Sequence, residues 1–146
     1  MRTGHAKAVL MATVLVAGFA ATAWADSVAV EKVQLWDKQY GSQGMTVSLE
    51  QVKAGTVTFE VTNVSVNEDH ELLLVKTEMK PDQFPVDDSG TRIDESKLQG
   101  INELGDLTKG EKSTHQVTLT PGRYVMFCNE PGHFGAGMWH ELIVTP

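Results

Sequence analysis

Cys128-Asn129-Glu130-Pro131-Gly132-His133-Phe134-Gly135-Ala136-Gly137-Met138 carries the chemistry of this chain. Four residues separate Cys128 from His133, and four more separate His133 from Met138. A thiolate, an imidazole and a thioether on one short loop form a soft donor set that prefers copper. A second imidazole would complete a trigonal His₂Cys arrangement with a long axial Met, the ligand set of blue-copper electron-transfer centres.

The residues before the loop read as a strand. Tyr124-Val125-Met126-Phe127-Cys128 is rich in aromatic and apolar side chains, which would hold the sulfur on a rigid element. Pro131 restricts φ and removes an N–H, and Gly132 permits the backbone angles of a tight turn. His133 would then face the same point as Cys128, with Gly135 and Gly137 letting the chain fold again to bring Met138 underneath. The fourth donor must come from elsewhere. Behind residue 25 the histidines are His70, His115, His133 and His140. His115 sits between Thr114 and Gln116 and reads as a solvated strand residue. His140 lies two residues beyond Met138 and reads as an exposed strand residue. Elimination leaves His70, which opens the apolar run Leu72 to Val75. Zinc fits the set less well, because its sites rarely use methionine.

Further out, the chain is a series of short strands. Thr56-Val57-Thr58-Phe59-Glu60-Val61-Thr62 alternates with period two and puts Val57, Phe59 and Val61 on one face. Val28, Val30, Val33 and Leu35 suggest an opening strand, and Thr114 to Leu119 and Leu142 to Val144 suggest later ones. Turn residues separate them at Ala54-Gly55, Thr108-Lys109-Gly110-Glu111 and Pro121-Gly122. The pattern predicts an all-β protein, a Greek-key antiparallel β-sandwich. Residues 80–98 break it. Pro81, Pro85 and five acidic residues make this stretch a polar surface excursion, with a short helix at most near Asp94 to Leu98.

The N-terminus reads as a removable leader. Arg2 and Lys7 precede an apolar run from Ala8 to Ala23, and Ala23-Trp24-Ala25 supplies the small residues of a cleavage site. The run is short of the about 20 residues a membrane span needs. Residues 1–25 are therefore expected to be a secretory signal peptide, and residues 26–146 one domain of 121 residues, exported to the periplasm or secreted, with no membrane span after cleavage. A single Cys in an exported protein cannot form an internal disulfide, and a metal-ligand role explains it. Without Arg2 and Lys7, ten basic residues face nineteen acidic ones, a formal charge of −9. That disfavours nucleic acid and anionic membranes.

Three segments resemble the cupredoxins, the plastocyanin/azurin family of small blue-copper proteins. Pro121 to Cys128 is similar to the family's last strand before the metal. His133-Phe134-Gly135-Ala136-Gly137-Met138 is similar to the plastocyanin ending, and Asp69-His70-Glu71-Leu72 resembles the segment bearing the first histidine. The four-and-four loop spacing looks most like rusticyanin and related bacterial cupredoxins. One departure stands beside His70, where the family often has an Asn that ties the two ligand loops; here it is Glu71.

The resemblance implies one type 1 copper per chain, held by His70, Cys128, His133 and Met138, and a one-electron carrier cycling Cu(II)/Cu(I) rather than an enzyme. It implies that His133 is the electron port. A redox protein partner, such as a cytochrome or an oxidase or reductase, would dock near it on Pro131, Phe134, Ala136 and Trp139, with the carrier itself a monomer. The alternative is a periplasmic copper-binding protein for copper tolerance or delivery. Such scavengers tend to be rich in Met or His, whereas Met45, Met79, Met126 and Met138 are scattered. Multicopper enzymes need more histidines than the four behind residue 25.

Overall fold

The computed structural model describes residues 28–38 and 41–146. The expected leader, residues 1–25, lies outside the described residues. Among those described, no helix is long and apolar enough to cross a membrane.

The strands are β1 (Ala29–Lys38), β2 (Ser42–Val47), β3 (Gln51–Lys53), β4 (Gly55–Asn63), β5 (His70–Lys76), β6 (Asn102–Leu107), β7 (Lys112–Leu119), β8 (Gly122–Phe127) and β9 (Trp139–Thr145). They form a four-stranded sheet in the order β2-β1-β4-β7 and a five-stranded sheet in the order β3-β9-β8-β5-β6. The all-β sandwich is as expected. Its sheets are mixed rather than wholly antiparallel, because β1 runs parallel to β4 and β3 parallel to β9. Period-two patterning sets which face a strand buries; it does not set the direction of the neighbouring strand.

The alternation in β4 sends Val57, Phe59 and Val61 into the core at 0–1 % exposure. Val33 and Leu35 of β1 join them, opposite Leu72, Leu74, Met126 and Leu142 of the other sheet. Val28 and Val30 do not; Val30 has the opposite parity on β1 and points to solvent. At the far end of β8 the Tyr124 hydroxyl donates to the Thr120 carbonyl and accepts from the Thr120 amide, each at 3.1 Å. This pins the Pro121-Gly122 turn, so β8 enters the sheet in a fixed register.

β5 and β8 are buried on both faces, which is why Leu72 to Val75 and Tyr124 to Phe127 read as continuous apolar runs. Their outer faces carry Leu73, Val75, Val125 and Phe127, and residues from the 80–98 excursion cover them. The excursion is irregular as expected, with two short 3₁₀ turns, Pro81–Gln83 and Glu95–Lys97, the second where a short helix is expected. It is not merely surface. Phe84, Ile93 and Leu98 are buried beneath its polar exterior and build a second hydrophobic cluster. Three apolar residues spread over fifteen positions leave no periodic signal.

Candidate metal centre

Cys128 follows directly on β8 and continues its alternation. Phe127 faces the second cluster, and Cys128 turns inward beside Met126, fully buried. The loop that follows is closed at its base, where the Cys128 amide donates to the Met138 carbonyl at 3.0 Å. Inside it, His133 N–H donates to Glu130 O, Ala136 N–H to Gly132 O and Met138 N–H to His133 O, each at 3.0 Å. These bonds require tight reversals, and Gly132 and Gly137 supply them at φ of 82° and 91°.

His70 enters from the other side, as the first residue of β5. Its Nε2 lies 2.7 Å from Ser65 Oγ. Asn63, fully buried, organises the intervening loop: its Oδ1 accepts from Ser65 N–H, and its Nδ2 donates to the carbonyls of Glu68 and Leu107, all at 2.9 Å. Asp37 accepts from the Val66 and Asn67 amides on the same loop. Burial opposes ionisation of Asp37, but these amides and the Ser65 hydroxyl outweigh it and hold its pKa below the ordinary value. An ionised Asp37 behind Ser65 orients the hydroxyl to accept from His70 Nε2–H, which leaves Nδ1 of His70 free toward Cys128.

Three donor atoms converge. Cys128 Sγ lies 3.7 Å from His70 Nδ1 and 3.4 Å from His133 Nδ1, and the two Nδ1 atoms are 3.3 Å apart. The point equidistant from all three is about 2.0 Å from each, close to metal–imidazole and metal–thiolate bond lengths of about 2.0–2.3 Å. His70, Cys128 and His133 form the one cluster of potential metal donors among the described residues. His115 and His140 do not enter it. Met138 is fully buried at the base of the loop, in the same core cluster as Cys128.

The pocket is hostile to charge until a cation fills it. Burial pushes the Cys128 thiol up to about 12, although backbone N–H groups of Glu130 and Glu71 point at the sulfur and work the other way. Burial, and then the nearby His133, pull His70 down to about 4. His70 is therefore presented as a neutral donor, and a metal has to displace the thiol proton.

Residues 45–145 match the family of copper-binding proteins of the plastocyanin/azurin type. The chain belongs to that family. Among solved structures, this cupredoxin is similar to a dithionite-reduced auracyanin from the photosynthetic bacterium Roseiflexus castenholzii, with 20 % identity, 82 % of this chain and 98 % of that chain covered, and a TM-score of 0.53. It is also similar to a rusticyanin variant, with 19 % identity, 84 % and 80 % covered, and a TM-score of 0.56. At such identities the likeness shows the fold. Comparison with curated proteins finds no match.

Copper is the metal of this family, and two imidazoles with one thiolate suit it in either oxidation state. Beside His70, the Glu71 side chain lies 3.9 Å from Arg92 of the excursion. Asn129 ties the Cys128–Met138 loop to the excursion rather than to the His70 segment. Its Oδ1 accepts from Ile93 N–H at 2.7 Å, and its Nδ2 donates to Ile93 O at 3.1 Å and Glu95 Oε1 at 2.7 Å. Arg92 donates to Glu130 at 2.8 Å and Gly132 N–H to Thr91 O at 2.7 Å. The excursion thus grips the ligand loop at three points.

Sequence reading passed over Asp37, Asn63, Ser65, Arg92 and Asn129. Asn63-Val64-Ser65 carries a local cue, since Asn side chains commonly accept from the amide two residues on. Nothing local marks the others. Phe134 is half-buried in an aromatic group with Phe84 and Phe127, centroids 5.2 and 5.6 Å away, so packing accounts for it.

Proposed function

We propose that this cupredoxin is a type 1 copper one-electron carrier, exported to the periplasm or secreted, with His70, Cys128 and His133 as equatorial ligands and Met138 as the axial one. The observation that carries the reading is the convergence of three donor atoms, within 3.7 Å of one another, on elements braced independently of any metal. Bound copper supplies the Cu(II)/Cu(I) couple. The protein supplies the rest. Ser65 and Asp37 fix the His70 tautomer, the hydrogen-bonded loop fixes His133 relative to Cys128, and the core beneath excludes water from the sulfur. Such bracing keeps the donors still when charge changes, which favours electron transfer over metal release.

His133 is the ligand nearest the surface, at 12 % side-chain exposure, and Pro131 and Ala136 beside it are exposed. A redox protein docking over this loop would bring its own centre nearest to His133. The role is that of a carrier rather than an enzyme.

The test is a Cu(II) titration of the chain from Asp26 onward, followed by visible absorption. A strong thiolate-to-copper band saturating at one equivalent, bleached by ascorbate and restored by oxidant, supports the reading. Copper bound without intense colour would remove Cys128 from the ligand set and bring a storage or tolerance role forward.

A further inference from the structure

Glu68 lies on the loop between β4 and β5, two residues before His70, and its side chain reaches across to the other ligand loop. Its Oε2 stands 3.5 Å from His133 Nε2. Because His133 Nδ1 faces Cys128 and His70, Nε2 is the outward nitrogen of the ring. That Glu68 oxygen is shielded from solvent and has no hydrogen-bond partner among the described residues, although the Glu68 side chain as a whole is 36 % exposed. The placement is anchored, because Asn63 Nδ2 donates to the Glu68 carbonyl at 2.9 Å. A carboxylate oxygen taken out of water and left unsatisfied costs free energy unless a donor turns toward it. His133 Nε2, at 3.5 Å, is placed to be that donor.

We propose that Glu68 is a positioning residue for the electron port. It holds His133 in the tautomer protonated at Nε2, so that Nδ1 keeps its lone pair for the metal, and it sets a negative charge directly behind the outermost ligand. The inference rests on the copper-carrier reading above. A carboxylate hydrogen-bonded to the far nitrogen of a metal-binding imidazole raises the ligand's basicity. A negative charge there also favours the more positive Cu(II) state over Cu(I). Glu68 therefore lowers the reduction potential while the equatorial ligand set stays the same. It also makes the port itself anionic, so an approaching redox partner would have to present a cationic group or displace the carboxylate.

Two variants separate the parts. Glu68→Gln keeps an acceptor and removes the charge; Glu68→Ala removes both. The first readout is potentiometric titration of the copper-loaded mature chain at neutral pH. Both variants should keep the intense visible band and shift the couple toward Cu(I) by about tenfold, about 59 mV for a one-electron couple. The second readout needs no copper. Nitrogen–proton correlation spectra of the metal-free protein should show His133 protonated at Nε2 in wild type and in Glu68→Gln, and a mixture of tautomers in Glu68→Ala. Unchanged potentials would reduce the contact to a surface ion pair of the kind that contributes little and overturn the electrostatic claim. A wild-type His133 protonated at Nδ1 would overturn the positioning claim. Failure of the wild type to take up copper with colour would sink the carrier reading instead, and the metal-free spectra would still decide the His133 tautomer.

Discussion

The amide of Cys128 donates to the carbonyl of Met138 at 3.0 Å, so the first and last residues of the ligand loop are tied to each other by the backbone. The thiol and the thioether are thereby held in relation by a bond that no metal has to make. This argues for a site assembled by folding.

Cys128→Ala should abolish intense visible absorption on copper addition, because the charge-transfer band needs the thiolate. The fold should survive, since the deleted sulfur is small and the base of the loop is bonded through the backbone. Far-UV circular dichroism checks the fold and a copper titration checks the colour. The same band in the variant would remove Cys128 as the ligand.

Met138→Leu conserves volume at a fully buried position, and such exchanges usually cost less than about 1.5 kcal/mol. The variant should remain coloured, with a shifted spectrum and potential, because an axial thioether tunes the site rather than creating it. A spectrum and potential identical to wild type would show that the Met138 sulfur does not reach the metal.

Asn129→Ala strips the partners from the amide and the carbonyl of buried Ile93. Each unsatisfied buried group costs about 1–3 kcal/mol, so urea unfolding should show a loss of about 2–6 kcal/mol. Copper spectra should also broaden if the excursion braces the ligand loop.

Phe84→Ala tests the covering role of the excursion more directly. Phe84 is 5 % exposed and lies against Phe127 and Phe134, with centroids 5.7 and 5.2 Å away. The cavity should cost about 3–5 kcal/mol by chemical denaturation. A surface excursion without structural weight would lose far less.

Glu31 predicts a pH dependence. It is fully buried on the core side of β1; its Oε1 accepts from the Ser48 amide and hydroxyl at 2.8 and 2.9 Å, while Oε2 has no partner among the described residues. Burial raises its pKa above the ordinary 4.5, and the Ser48 and Leu49 bonds only partly offset this. The folded protein then binds this proton more tightly than the unfolded chain. The stabilisation is present below 4.5 and is lost as pH rises through the folded value. Glu31→Gln should flatten that part of the stability profile, read as urea midpoints between about pH 4 and pH 7.

Much of this was legible in the linear chain because it is local. Val57, Phe59 and Val61 announce a half-buried strand by alternation alone, and the Cys128 to Met138 spacing announces a soft-metal loop through residue types that have few other reasons to occur together. His70 follows from elimination and from the family likeness of Asp69-His70-Glu71-Leu72, since no spacing connects residues 58 positions apart. The buried face of the excursion is not legible in the chain, because Phe84, Ile93 and Leu98 follow neither helix nor strand period.

The donors of the Cys128-to-Met138 loop, the strands beside them and the turns that close the loop are written in the chain, because each depends on side chains within a few residues of one another. What surrounds the donors depends on tertiary packing. It put Asp37 behind the Ser65–Asn67 loop, Glu68 behind His133 and Asn129 beneath the excursion, and it made two strand pairs parallel. Those relations join segments far apart in the chain, where contact is set by how two sheets and a long loop pack together, and no local propensity encodes that.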